Sequence, residues 1–218
     1  MKTFPKLIAC LALTLFAPQA WCALIDDQIT KFFELAKANR NEQALGMLQN
    51  IKGFVQSADF DGDSVLIAAA TSGNEVVLDA VLKLSPDLDH ANKKGCTAVW
   101  LVSGVTTPVL LKKLLQAGAS PVKPGNGGRT SPLMAAALAN RPEVAQTLLD
   151  AKAPVDTELD GKTALGIAVT AGFEGVVTVL LKAGANPNAK MASTPLIAVA
   201  RNRGFKNIEA LLLAGGAK

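Results

Sequence analysis

Tyrosine is absent from this chain of 218 residues, aromatic side chains make up only 5% of it, and histidine occurs once, at His90. One histidine excludes the multi-histidine metal clusters and leaves any Ser-His-Asp or Cys-His catalysis dependent on His90 alone. That residue lies in DLDHANKKG, a polar connecting stretch with no nucleophile motif beside it, and reads as a solvated loop histidine. Charged residues are also scarce, at 18%, too few for a disordered acidic or basic chain. The 18 glycines and 11 prolines are spread out, which excludes collagen-like and low-complexity readings. What is abundant is Ala, Leu and Val, the material of thin, closely packed helices.

The three cysteines are Cys10, Cys22 and Cys96. The first two fall in a segment laid out as a secretory leader: Lys2 and Lys6, then apolar LIACLALTLF (7–16), then APQAWCA (17–23). Ten apolar residues are too few for a membrane span, which needs about 20. Cleavage after Cys22 places small Ala20 at the −3 position. Lipidation is disfavoured because Trp21 precedes Cys22 and Cys10 comes too early. The reading is therefore a leader over 1–22 and export to a bacterial periplasm, with no stable membrane insertion once the leader is removed. Only Cys96 then remains, so no internal disulfide is expected. It reads as a small turn residue. The formal charge of +4 falls to near +2 without Lys2 and Lys6, which offers no case for nucleic-acid binding.

A repeat organises the rest. Gly62, Gly95, Gly128 and Gly161 are each 33 residues apart, and each is followed by Ser64, Thr97, Ser131 or Thr163 and a small-apolar pair. Thr194-Pro195-Leu196 begins a fifth copy. Paired apolar residues recur at Val81-Leu82, Leu114-Leu115, Leu148-Leu149, Leu180-Leu181 and Leu211-Leu212, mostly followed by a Gly-Ala-like turn.

A unit such as DGKTALGIAVTAGFEGVVTVLLKAGANPNA (160–189) resembles an ankyrin repeat. The resemblance covers about residues 59–217 in five copies. It departs at the motif histidine, replaced here by Ile67, Trp100, Met134, Gly166 and Ile197, a residue that stabilises the turn in the family and is not catalytic. The fold it implies is an all-α repeat solenoid of helix-turn-helix units with β-hairpin tips over 59–218. Residues 23–58 supply an N-terminal helical cap, with Ile29, Phe32, Phe33 and Leu35-Ala36 on one face and Ala44, Leu45, Leu48 and Ile51 on another. Ser or Thr before each first helix suits an N-cap. Pro132, Pro195, Pro108 and Pro142 suit first helical positions. Gly118 and Gly184 suit left-handed helix ends, where Lys152 stands at a cost.

No catalytic set survives inspection. The DFDGD stretch (59–63) lacks the spacing and the twelfth-position Glu of an EF-hand. The run GNGGR (125–129) lacks the Gly-Lys-Ser/Thr of a phosphate loop. No cofactor and no metal is expected, and the chain reads as a non-enzyme. What the resemblance implies instead is protein recognition by a monomer through a concave face of hairpin tips and first-helix ends. The candidate binding residues are Phe60, Asp61, Asp63, Lys93, Lys94, Arg129 and Lys162 at tips, and Thr71, Ser72, Leu138, Thr170 and Arg201 at helix ends, with Cys96 also counted at a tip. The partner is another protein: a stress-response enzyme to support or a toxin to neutralise. The rival readings are a small-molecule binder or enzyme, with a pocket between cap and first repeat or around Trp100 and Cys96, and a secreted effector that binds host proteins. Charge is segregated: residues 26–91 carry a net −6 and residues 92–218 a net +8.

Overall fold

The computed structural model describes residues 18–50, 53–105 and 107–218. Most of the expected leader, residues 1–17, and Ile51 of the cap lie outside them. The first helix, α1 (Pro18–Lys37), runs across the expected cleavage position. It pairs with α2 (Asn41–Asn50) to form the cap. Ile29, Phe32, Ala36 and Ala44 are its buried residues, and Phe32 meets Phe54 edge-on at 5.6 Å between ring centres.

Five helix pairs follow: α3 (Val65–Thr71) with α4 (Glu75–Leu82), α5 (Ala98–Val105) with α6 (Pro108–Gln116), α7 (Pro132–Leu138) with α8 (Pro142–Asp150), α9 (Ala164–Ala171) with α10 (Glu174–Lys182), and α11 (Leu196–Asn202) with α12 (Lys206–Ala214). First helices stack on first helices and second on second, so one apolar core runs unbroken from Ile29 to Leu212. The first helices bring their alanines to the contact: Ala69, Ala136 and Ala168 are fully buried. Side chains that small let backbones approach closely, which is why a chain with few aromatics builds a dense core.

Each first helix is started by its own sequence. Ser64, Thr97, Ser131 and Thr163 accept from the backbone N–H three residues on, at 3.3, 3.3, 3.2 and 3.0 Å. All four are buried, and each such cap is worth about 1 kcal/mol. Pro132, Pro108 and Pro142 open their helices as expected. Pro195 does not. It precedes α11 in extended conformation, because the short strands β1 (Lys190–Met191) and β2 (Thr194–Pro195) pair around the two-residue turn Ala192-Ser193 and hold the chain straight through Pro195. Gly118 and Gly184 take φ of 102° and 88° at their helix ends, and Lys152 takes 67° at the equivalent place.

The hairpins ahead of the helices are short bridges, Ala58 to Ser64, Ala91 to Thr97, Gly125 to Thr130 and Leu159 to Lys162. Successive tips are bonded to each other: Lys93 N–H donates to Asp61 O and Gly127 N–H to Lys94 O, both at 2.9 Å. Gly62 is required here by more than its φ of 80°, since a Cβ would stand 2.9 Å from the Lys93 nitrogen.

Candidate functional site

The tips and first-helix ends lie along one edge of the stack, and the candidate residues divide there into free and engaged side chains. Phe60 is 72% exposed at the first tip. Lys93, from the next repeat, sets its ammonium 3.9 Å from the ring centre, a cation–π contact that orients both groups without covering the ring. Asp61, Lys94, Arg129 and Lys162 are exposed. Lys162 is within 3.7 Å of Asp160, an exposed pair of little energetic weight. Leu138, 56% exposed, caps the end of α7.

Most of the other candidates are held by the scaffold. Asp63 is half-buried and accepts from Asn92 Nδ2 at 2.8 Å. Thr71 and Ser72 donate to the carbonyls of Ile67 and Ala69, each at 2.7 Å, closing their own helix end. Thr170 is half-buried, and its Oγ1 has no hydrogen-bond partner. Arg201 Nε donates to Glu209 at 2.6 Å.

Three expectations need correction. Cys96 does not present itself at a tip: it is 4% exposed, because its N–H donates to Asn92 Oδ1 at 2.9 Å and turns the side chain inward, where Sγ accepts from Asn126 N–H at 3.4 Å. His90 is not a free loop residue: it is half-buried, with Nε2 2.8 Å from Gly62 O. It therefore ties the second repeat to the first hairpin. The space proposed around Trp100 and Cys96 is filled, since the Trp100 ring lies against Gly125 and its Nε1–H donates to Thr130 Oγ1 at 3.0 Å.

Between the cap and the first repeat there is a recess of about 180 Å³ bordered by Ile29, Phe33, Asp59, Asp63 and Thr71. That is smaller than the roughly 300–1,000 Å³ of ordinary small-molecule sites, whereas a second, open groove at the same junction, between α2 and α4 and walled by Leu45, Leu48, Val76, Ala80 and Leu84, is about 520 Å³ and apolar. Burial, joined by the negative charges of Asp63 and Asp61, pushes the Asp59 carboxyl above the usual aspartate range, although the backbone N–H groups of Asp63 and Asp61 pull it down. Among the described residues no group of three or more His, Cys, Asp or Glu is placed to hold a metal ion, and no helix is long and apolar enough to cross a membrane.

One exposed residue of this edge escaped the sequence reading: Val105, 65% exposed at the end of α5. Its signal was an apolar residue past the point where folding needs one.

Residues 102–191 match the family model described as ankyrin repeats in three copies. The chain is 35% identical over 139 residues to the nuclear factor NF-kappa-B p105 subunit of Gallus gallus, covering 62% of this chain and 14% of that protein. It is 33% identical over 138 residues to the human B-cell lymphoma 3 protein, covering 59% of this chain and 30% of that one. The chain thus spans less than a third of either relative. In structure it is similar to an ankyrin repeat domain from Acinetobacter baumannii, with a TM-score of 0.74, 25% identity, and coverage of 86% of this chain and 98% of that domain.

Proposed function

From the premise that this chain is an ankyrin-repeat solenoid in fold, we propose that it works without catalysis, by binding another protein along the edge formed by its hairpin tips and first-helix ends. Ankyrin repeats typically mediate protein–protein interaction. The observation that carries the reading is Phe60: a large aromatic, 72% exposed, held in place by Lys93 and not needed for any packing within the stack. An aromatic in that state is the usual form of an interface anchor. Around it the exposed Lys93, Lys94, Arg129 and Lys162 add positive charge, which steers an acidic partner and sets its register.

The leader-like segment supports a working place in a bacterial periplasm. There a monomer of this kind supports a stress-response enzyme or neutralises a toxin, and no cofactor enters.

Affinity capture from a periplasmic extract supplies the partner, and two variants then test the surface. Phe60→Ala is expected to weaken binding by more than about fivefold, the effect of an anchor losing over 1 kcal/mol. Joint reversal of Lys93, Lys94 and Lys162 to Glu is expected to slow association, most strongly at low salt. The control is Lys112→Glu on the second-helix face. Neighbouring Lys113 is unsuitable because it is bound to Asp79 at 2.7 Å and Glu75 at 3.5 Å. Binding that survives the tip variants and fails with Lys112→Glu places the interface on the other side.

A further inference from the structure

The first three hairpin tips carry, in order, Phe60, the pair Lys93-Lys94, and Arg129. Phe60 and Lys93 hold the same place, two residues ahead of the turn glycines Gly62 and Gly95, while Lys94 and Arg129 flank Gly95 and Gly128. All four side chains are exposed. Lys93 is engaged by the Phe60 ring. Among the described residues, Lys94 and Arg129 have no carboxylate within ion-pair distance. The acids of this stretch sit at the first tip: Asp63 is taken by Asn92, Asp59 is half-buried, and Asp61 is exposed beside Phe60. At the fourth tip Lys162 is offset by Asp160. The edge therefore reads apolar, then basic, then basic over three tips.

Those three tips keep a fixed spacing. Each hairpin is two chain segments wide, and the three are joined edge to edge by the 2.9 Å bonds from Lys93 N–H to Asp61 O and from Gly127 N–H to Lys94 O. With paired segments about 4.8 Å apart, one tip follows the next at about 9.5 Å. That agrees with the roughly 8–10 Å between packed helices, and first helices stack on first helices here. A partner that touches all three tips must offer groups at that interval on one side. A polyproline II segment does so, since three residues complete a turn and advance about 9.3 Å. An extended strand covers the distance in three residues but points the third to its opposite face. An α-helix returns to the same face after seven residues and about 10.5 Å, too long by about 1 Å at every tip.

We propose that these tips bind a polyproline II segment of the partner protein, with an apolar residue on Phe60 and carboxylates three and six residues along it against Lys94 and Arg129. The inference rests on the tip edge being the binding surface and names the segment that edge takes. Such a segment is already ordered before it binds, and aromatic side chains are its usual seat. The long arms of Lys94 and Arg129 absorb their different places around the turn glycines. Asp61 sets the register, because a carboxylate set against the first tip meets its like charge.

The test titrates the purified protein with seven-residue peptides at low ionic strength, followed by the amide shifts of Phe60, Lys94 and Arg129. One peptide has leucine first, glutamate three and six residues later, and proline elsewhere; a second is its reverse. Controls of the same composition carry the glutamates two and four residues from leucine. The better of the two matched peptides is expected to bind at least about fivefold more tightly than either control, as two exposed ion pairs allow. Lys94→Glu and Arg129→Glu are each expected to weaken it about twofold or more. A peptide with lysine in place of the outer glutamate is expected to bind Arg129→Glu better than the matched peptide does, and Lys112→Glu leaves binding unchanged. The tip positions are exposed, and thermal unfolding verifies the fold of each variant. Equal binding of matched and control peptides, binding of neither, or indifference to Arg129→Glu overturns the proposal. If the captured partner protein still loses affinity with Phe60→Ala, the tip edge stands as the binding surface and only the polyproline II segment falls; if it does not, both fall.

Discussion

Leu165 is fully buried where α9 meets its neighbours, two residues past the Thr163 cap. Removing three carbons there leaves a cavity that helices pinned on both sides cannot close. Leu165→Ala is therefore expected to cost about 2–5 kcal/mol in urea titrations. Lys162→Ala, three residues earlier and exposed, is expected to move stability by less than about 0.5 kcal/mol. Equal losses would contradict the assigned register. Asp59 offers a residue test of opposite sign. Its folded carboxyl titrates above the ordinary 3.8, so the folded state holds the proton more tightly than the unfolded chain. Stability from this group is then present below that ordinary value and is lost as pH rises through the raised one. Asp59→Asn, whose side-chain oxygen still accepts from Asp63 N–H, is expected to raise the melting temperature at pH 7. The gain should shrink toward pH 3.5, and a gain that grows on acidification would refute this account.

At the scale of the element, the helix ends follow one rule with one exception. The chain must turn through left-handed φ after each second helix, and Gly118 and Gly184 do so without steric cost. Lys152 takes the same conformation against its Cβ. Lys152→Gly is expected to stabilise the third repeat by up to about 1 kcal/mol, read as slower hydrogen exchange in α8. No change there would mean that the flexibility glycine adds to the unfolded chain offsets the relief. The hairpin elements taught a different lesson. Cap residues and the prolines at 108, 132 and 142 were readable because each acts on its own backbone within three or four residues. Cys96 and His90 were misread because their surroundings are made by other repeats: Asn126 lies 30 residues from Cys96, and Gly62 lies 28 from His90. Local polarity carries no record of a hydrogen bond that arrives from the next unit.

For the whole molecule, stacking preserves chain order in space, so the net −6 of residues 26–91 and the net +8 of residues 92–218 become an acidic and a basic end. Stability should likewise be carried by contacts between neighbouring units. The proposed export is tested at this scale too. Intact-mass measurement of the protein recovered from a periplasmic extract is expected to give a chain beginning at Ala23, with one thiol and no acyl group. A mass that includes residues 1–22, or an added lipid, would refute the leader reading.

The spacing of 33 residues between Gly62, Gly95, Gly128 and Gly161, with Thr194-Pro195-Leu196 opening a fifth copy, determined by itself that this chain is a stack of repeated units, and for the first four where the first helix begins and which side chains it buries. Those properties depend on interactions inside one unit, and every unit repeats them. The tertiary structure alone decided which of the varied positions remain free. Phe60 stays open with Lys93 over its ring, Asp63 is taken by Asn92, and Lys113 is taken by Asp79. It alone decided that Lys113 bridges the seam between α4 and α6 and Asn207 the seam between α10 and α12. The physical reason is the same in each case. Residues 29 to 34 positions apart in the chain meet only when two units stack, and the repeat pattern records what the units share, not what differs between neighbours.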